Sequence, residues 1–570
     1  MKHLKKARIL ISLIIILGAV LRLWGIDFGL PFLSHQDEQI VVNHALAYGM
    51  GDLNPHYFNI PPLTSYLLFI VYGIYFLAGM AAGLFHTPLE FARHFFTDPG
   101  SFYIIGRLFI GVIPGAVSIV AVYIFAGRFL SRRAALFAAS IMSVCFLNVA
   151  NSHYIYTDML LVMFTVLAYN AIYSFYKIPT LKNYLAAGIM IGLAAGAKYN
   201  AVLLAVPYLM AHFMAIIHGK KSAGEMLFSG KLWAGAASAA VVFAAVDPYM
   251  ILDWPNFLES VSKQSRAFWY TGWLHHIAYS LRQGLSGPLV ATGGAGLFFI
   301  AFKKRWGIIL FSFPFVFYLV IVFKSQHFAR YVLLLIPFFA VGAAYFVFEV
   351  LYKRFALFRS KIVIPFVVFI LLAPTAIKSV KADMIFSARD TRTIAAEWIK
   401  ENLSEGSRIA CASTHFRPAL KQPYSQVAAK KEFLSKQTGL GNAKAKKLKM
   451  TLTAMDQEYK GFPLYFLCED PDESGQFLDT LPALPYDMNV LRDNAIDYVI
   501  ISGERAGPEK AEFIEELKIY GSPVKDFSPY SDGVFRKTTD PVATTCIPVA
   551  NKELFSRKGP GPALRIYRIK

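Results

Sequence analysis

Charge is scarce in this chain: Asp, Glu, Lys and Arg make up only 16 % of its 570 residues, against about 25 % in a typical soluble domain. Acidic residues are the scarcer sign, 37 against 57 Lys and Arg. Cysteine is nearly absent, with four in all. Cys145 lies inside an apolar run, and Cys411, Cys468 and Cys546 are too widely spaced for a zinc site or a disulfide framework. No internal repeat, low-complexity tract or glycine-rich phosphate loop occurs. These absences exclude a soluble globular domain, a disulfide-stapled scaffold and a nucleotide-binding P-loop protein.

What is plentiful is apolar: 56 % of residues are hydrophobic, gathered in runs of about 15–25 residues, the length a bilayer requires. The chain therefore reads as an α-helical polytopic membrane protein. Its formal charge of +20 does not point to nucleic acid, because the basic residues fall in short clusters between apolar runs, the pattern that orients membrane proteins. The first run, residues 9–24, follows a basic start (Lys2, Lys5, Lys6, Arg8). No small-residue cleavage pattern follows it, so it is read as a retained first span and not a signal peptide.

Further spans begin near Phe102, Ala134, Met159, Leu185, Tyr199, Leu232, Ser286, Gly307, Tyr331 and Ile362. The basic clusters between them are Arg128/Arg132/Arg133, Lys177/Lys182, Lys220/Lys221, Lys303/Lys304/Arg305 and Lys353/Arg354/Arg359/Lys361. All can lie in the cytoplasm with the N-terminus on one condition: of the runs 61–85 and 102–127, only one crosses. Pro61, Pro62, Gly73, Gly79 and Gly83 make the earlier run the re-entrant or interfacial one. The expectation is about eleven spans, forming a membrane domain over 1–380 with its first outer loop at 27–101, and an extracytoplasmic C-terminal α/β domain over 381–570.

The same parity gathers charged and polar residues at one face. Asp37 and Glu38 stand just past the first span, and Arg107, His153, Tyr154, Asp158, Lys198, Asp247, Lys324, His327, Arg330 and Tyr331 come to that face from other span ends. Ionisable groups beside the hydrocarbon core are costly, so acids and bases collected there mark a functional site. Each has a duller competitor. Ser34 and Asp37 fit a helix cap, Asp158 a helix N-terminal charge, Lys198 and Lys324 interfacial snorkelling, and the histidines interfacial hydrogen bonding. In the tail, 390–402 reads as a helix, and 408–412, 464–468, 498–502 and 563–567 as strands. The lysine-rich stretch 430–449 reads as a solvated basic helix. The outer loop 247–282, with Trp254, Phe257, Phe268, Trp269, Tyr270 and Trp273, reads as an interfacial aromatic segment.

Several segments together resemble a known family. Ser34-His35-Gln36-Asp37-Glu38-Gln39 and Asn54-Pro55-His56-Tyr57-Phe58-Asn59-Ile60-Pro61-Pro62-Leu63 resemble the first outer loop of the C-type (GT-C) membrane glycosyltransferases. The nearest branch is glycosyltransferase family 39, which includes protein O-mannosyltransferases and the aminoarabinose transferases of lipid A. Further matches are His153-Tyr154-Ile155-Tyr156-Thr157-Asp158, Gly192-Leu193-Ala194-Ala195-Gly196-Ala197-Lys198, and Gln326-His327-Phe328-Ala329-Arg330-Tyr331 followed by Pro337. The resemblance spans roughly residues 9–380 of the membrane part and implies the GT-C fold.

It also implies transfer of a sugar from a polyprenyl-phosphate carrier to an acceptor hydroxyl at the outer face of a cytoplasmic (inner) membrane, with Asp37 as catalytic base. Glu38 and Asp158 are expected to assist. Lys198, Arg330, Lys324 and Arg107 are the candidates for the donor phosphate, and Asn59, His153, Tyr154, His327 and Tyr331 for the rest of the substrate. No cofactor is obligatory, and Asp37, Glu38 and Asp158 are the candidate ligands of a divalent metal ion. Some family members carry an acidic residue and a lysine just before the proline pair, where this chain has Asn59 and Ile60; the metal and phosphate roles of those positions do not carry over. Expected partners are the lipid-linked donor, a lipid, glycan or protein acceptor, and membrane lipids. A transporter or flippase of lipid-linked sugar is the rival reading, but such proteins favour inverted repeats and mid-bilayer charges, and neither is visible.

Overall fold

The computed structural model describes the chain except residues 31–35, 219–226, 266–272, 324–327, 413–416, 437–447, 469–481, 504–507 and 537–549 and positions 1, 419, 450–451, 453–454, 456–457 and 459. Long apolar helices come first and a small sheet last. The helices of the bundle are Lys2–Leu23, Gly100–Gly127, Arg132–Val144 continued by Phe146–Asn151, Thr157–Lys177, Leu181–Ala197, Tyr199–Ile217, Gly230–Val246, Gly287–Lys303, Gly307–Val322, Ala329–Arg354 and Val363–Phe386. They follow the expected run starts to within a few residues. Among the described residues, six helices are long and apolar enough to cross a membrane, seven if the bent pair His276–Gly284 and Gly287–Lys303 is one span. Leu181–Ala197, Gly230–Val246 and Gly307–Val322 are shorter: at 1.5 Å per residue such helices reach about 25 Å, less than the roughly 30 Å hydrocarbon core. Length and composition thus do not single out eleven crossings.

Small residues set the closest packing. Gly188, Gly192 and Gly196 recur every four residues on one face of Leu181–Ala197, and a methyl group on any of them would run into Gly235, Ser238, Ala239 or Val246 of the helix Gly230–Val246. Backbones can approach this closely only where side chains are absent, which is how helices associate in lipid. Ala329–Arg354 is the most enclosed long helix, 83 % buried, whereas the last one is 22 % buried and turns Phe366 and Phe369 outward. The start of the most enclosed helix therefore lies at the centre of the bundle's mouth.

The ambiguous run forms the helix Leu63–Ala81, long and apolar enough to cross. Its contacts place it across the mouth instead. Leu63 packs beside Gly196 at the end of Leu181–Ala197, while the hydroxyl of Tyr72 donates to the Phe102 carbonyl (3.1 Å) and that of Tyr75 to Ser101 Oγ (3.2 Å), at the start of Gly100–Gly127. Both ends of a segment about 18 Å long thus meet helix ends on the same side.

The tail is a six-stranded sheet in the order β3-β2-β1-β4-β6-β5, with β1 Ile409–Cys411, β2 Leu464–Cys468, β3 Ala483–Pro485, β4 Tyr498–Ser502, β5 Gly521–Phe527 and β6 Leu564–Ile569. β1 to β4 are parallel, and β6 is antiparallel to both β4 and β5. Ala395 and Ile399 of Thr391–Asn402 cover one face, Phe513 and Leu517 of Pro508–Tyr520 the other. The four expected strands and the helix capped by Asp390 are all present. The tail is fastened to the bundle where Leu554 enters the membrane-part core and Lys381 Nζ donates to the Arg557 carbonyl at 2.7 Å. Of the stretch 430–449, residues up to Ser435 continue the helix Tyr424–Ser435 and most of the rest lies outside the described residues.

If the small-residue seam sets the packing, Gly188→Val forces the two helices apart and costs about 1–3 kcal/mol. Gly73→Ala, where nothing lies within 4 Å, does not destabilise and gains up to about 1 kcal/mol from helix propensity. Thermal unfolding of the purified protein in detergent checks both.

Candidate active site at the mouth of the bundle

Asp37 and Glu38 sit in the first turn of the helix Gln36–Tyr48. Neighbours on a helix point about 100° apart, and the two carboxylates go to different places. Glu38 turns into the bundle and is fully buried. Its Oε1 accepts from Arg107 Nε (2.9 Å) and from the Ile155 amide (3.0 Å), and its Oε2 accepts from Arg107 Nη2 (2.9 Å). Arg107, equally buried, donates its Nη1 to the carbonyls of Ile26 (2.7 Å) and Phe28 (2.9 Å) and lies 3.9 Å over the Phe28 ring. One ion pair thus joins the first-loop helix, the segment after the first span, the helix Gly100–Gly127 and the turn before Thr157–Lys177.

Asp37 faces the mouth. Its Oδ2 accepts from Arg330 Nη1 at 2.7 Å, with 26 % of the Asp37 side chain and 14 % of the Arg330 side chain exposed. Arg330 stands in the 3-10 turn Ala329–Leu335 that opens the most enclosed helix, its guanidinium held between the rings of Tyr156 (4.7 Å) and Phe328 (4.8 Å). Asp158, in the first turn of Thr157–Lys177, pairs its Oδ1 with Lys198 Nζ at 2.7 Å. Lys198 occupies the extended break between Leu181–Ala197 and Tyr199–Leu204, with its ammonium 5.6 Å from the Tyr156 ring centre and 5.9 Å from that of Tyr331. The ring faces attract the two cations and help to orient them beside their carboxylates.

Most of these groups border a small cavity. Asp158, Lys198, Asn200, Arg330 and Tyr331 form its polar wall, and Leu161, Val162, Phe317, Ile321, Leu333 and Leu334 its apolar wall. Three polar atoms here are buried without a hydrogen-bond partner among the described residues: Asp158 Oδ2, Asn200 Oδ1 and Arg330 Nε. In a native structure such atoms call for an explanation, and a polar ligand supplies one.

Of the residues expected to form a site, Asp37, Asp158, Lys198, Arg330 and Tyr331 come together. Glu38 and Arg107 lie directly behind and saturate each other, which takes Arg107 away from a phosphate and Glu38 from an acceptor. His153 is buried with its ring nitrogens 3.0 Å from the Val149 and Trp24 carbonyls, and stacks on Phe386. Tyr154 is packed edge-on against Phe28, and Asn59 precedes the mouth helix; none of these three lines the cavity. Lys324 and His327 lie outside the described residues, as does Ser34, the expected cap.

Among the described residues no three carboxylate, histidine or cysteine side chains gather as a metal site. Glu38, Asp37 and Asp158 are each bonded to a separate cation, so the expected trio does not fit a divalent ion. Tyr156 and Asn200 were not expected. Tyr156 stood within a quoted segment, and Asn200, two residues past Lys198, carried no signal of its own. Beside the mouth, Asn54 Nδ2 donates to Asp253 Oδ2 at 2.8 Å and ties the first loop to the aromatic helix Trp254–Ser265. Hydrogen bonds from Asn54 and Asn256 hold the Asp253 carboxyl below the usual range.

Residues 98–249 match the family model described as dolichyl-phosphate-mannose-protein mannosyltransferase. Among solved structures, ArnT from Cupriavidus metallidurans bound to undecaprenyl phosphate is similar at 12 % identity over 90 % of this chain and 95 % of that one, with a TM-score of 0.50. The oligosaccharyltransferase AglB from Archaeoglobus fulgidus, in complex with an inhibitory peptide and a dolichol-phosphate, aligns at 14 % identity over 97 % of this chain and 77 % of that one, TM-score 0.48. The S. cerevisiae Pmt1-Pmt2 complex bound to the sugar donor aligns at 22 % over 50 % of this chain and 37 % of that one, TM-score 0.33. No curated protein matches. At such identities the structural likeness is one of fold.

The buried pair predicts a division between the two acids. Arg107→Ala leaves Glu38 charged and unpaired in the interior and destabilises by about 3–5 kcal/mol. Asp37→Asn, at the part-exposed pair, changes stability by less than about 1 kcal/mol. Melting temperatures of the purified variants distinguish them.

Proposed function

We propose that this chain, a membrane protein of the GT-C glycosyltransferase kind and family 39 type, is an inverting transferase that moves a sugar from a polyprenyl-phosphate carrier to an acceptor hydroxyl. The observation that carries the reading is the two-sided cavity: two cations and the carboxylate of Asp158 on one wall, with Asp37 paired to one of those cations, and aliphatic and aromatic side chains on the other wall. A lipid phosphate has that division, an anionic head on an apolar chain. The similar structure of ArnT from Cupriavidus metallidurans, bound to undecaprenyl phosphate, agrees with it.

In this reading Asp37 takes the proton of the acceptor hydroxyl as its oxygen attacks the anomeric carbon. Oδ2 of Asp37 is engaged by Arg330, and Oδ1 is the oxygen left to receive the proton. The bond from the anomeric carbon to the phosphate oxygen breaks with its electron pair, and polyprenyl phosphate leaves. Negative charge then grows on that oxygen, where fixed cations lower the barrier most. Arg330 offers its buried Nε and Lys198 its ammonium. The planar fork of Arg330 suits phosphate while its Nη1 holds Asp37, so base and leaving group share one guanidinium. Asp158 keeps Lys198 in place. No metal-assisted step is needed, and the donor set does not fit one.

In this reading the reaction runs at the outer face of the cytoplasmic membrane, with the N-terminus inside and the tail outside, and the basic clusters between the apolar runs support that orientation.

Purified protein incubated with radiolabelled polyprenyl-phosphate sugars and a membrane extract is expected to label an acceptor. Asp37→Asn then loses at least about a hundredfold in rate. Arg330→Lys, which keeps the charge and loses the fork, falls by about 10²–10³. Label transferred equally by the Asp37→Asn protein contradicts the assignment.

A further inference from the structure

We propose that Asn200, together with the free oxygen of Asp158, is the element of this site that reads the hydroxyl groups of the donor sugar; this rests on the transferase reading above. The polar atoms left without partners in the cavity are of two kinds. Arg330 Nε is a donor lacking an acceptor, and Asp158 Oδ2 and Asn200 Oδ1 are acceptors lacking a donor among the described residues. Both acceptors belong to residues of the cavity wall.

The chemistry of the donor sorts them. A sugar joined to a lipid through one phosphate is a phosphodiester, ionised once and carrying no P–OH near neutral pH. Its phosphate accepts hydrogen bonds and gives none, so it satisfies Arg330 Nε and Lys198 but neither acceptor. Next to a carboxylate and an amide oxygen it is repelled. The only hydrogen-bond donors that such a ligand brings into the cavity are its sugar hydroxyls. Asp158 is fixed by the 2.7 Å bond from Lys198 to Oδ1, which leaves Oδ2 as the open oxygen. Asn200 is set by the turn Tyr199–Leu204 that follows Lys198 directly. Lys198 and Asn200, two residues apart in the same short segment, thus present a cation for the phosphate and an acceptor for the sugar.

A site built to accept hydroxyl protons discriminates strongly against a ligand lacking them, because its buried oxygens then go unpaired. Asn200 is therefore a specificity residue, and the class it selects is a sugar with free hydroxyls near the anomeric carbon.

The test uses the purified full-length chain in detergent and two probes, polyprenyl phosphate and polyprenyl-phosphate-mannose, followed by titration of intrinsic fluorescence; glucose- and galactose-bearing lipids extend the panel. Wild type is expected to bind at least one sugar-bearing lipid more tightly than the bare phosphate. Asn200→Ala loses that preference by about tenfold while binding bare polyprenyl phosphate as wild type does, and Asn200→Gln, which keeps a neutral acceptor oxygen, retains more of it than Asn200→Ala. An Asn200→Ala protein that retains the preference, or that loses affinity equally for both lipids, overturns the inference. So does a wild type that binds the bare phosphate but gains nothing from any sugar. Wild type that binds no polyprenyl phosphate at all sinks the transferase reading itself.

Discussion

The fully buried pair between Glu38 and Arg107 is the interaction on which the rest of the mouth depends. Removing a carboxylate and a guanidinium from water costs several kcal/mol per ion, and attraction offsets it only where every polar atom is engaged. Here that condition is met: two bonds between the ions, an amide on the carboxylate and two carbonyls on the guanidinium. The pair sets where the first-loop helix begins. Asp37 is the neighbouring residue, about 100° round the helix, so fixing Glu38 inward fixes Asp37 outward over Arg330. A displacement of 1 Å from a productive position costs about a hundredfold in rate, which explains why a rigid buried clamp stands beside a group that must meet its substrate accurately.

The charges that face the cavity are arranged differently. Lys198 and Arg330 both sit where regular helix is interrupted, one at an extended break and one in a 3-10 turn, and the ring of Tyr156 lies beside both. Each cation already has a carboxylate, so the site carries two balanced pairs. In the proposed reading a phosphate meets Arg330 at Nε while Nη1 stays on Asp37, so donor and base are linked through one guanidinium. In that reading the apolar wall beyond it receives the start of the carrier chain while the head is held by the cations.

Much of this was legible from residues alone because the membrane imposes strict rules. Apolar runs marked the helices, basic clusters marked one face, and the acids and bases left at the other face included Asp37, Asp158, Lys198 and Arg330. Tail strands with continuous apolar cores, Leu464–Cys468 and Tyr498–Ser502, were read to their ends. The edge strand Gly521–Phe527 was missed, since its exposed residues give no alternation to detect, as was the three-residue Ala483–Pro485. The separate tasks of Asp37 and Glu38 were invisible for a different reason: two adjacent acids look alike until the helix is docked and one of them finds a buried arginine. His153 and Tyr154 drew attention as polar groups at a span end, but Phe28 and Phe386 enclose them. Asn200 gave no pattern at all and emerges only as a buried oxygen lacking a donor.

The most direct test of Asp37 acting as base in a single displacement is the anomeric configuration of the transferred sugar, read by NMR on product made from a donor of known configuration. Inversion is the result expected, since one attack opposite the phosphate leaves one change of configuration at that carbon. Retention requires a covalent intermediate on an enzyme nucleophile or attack from the phosphate side, and would contradict the mechanism built on Asp37 and Arg330.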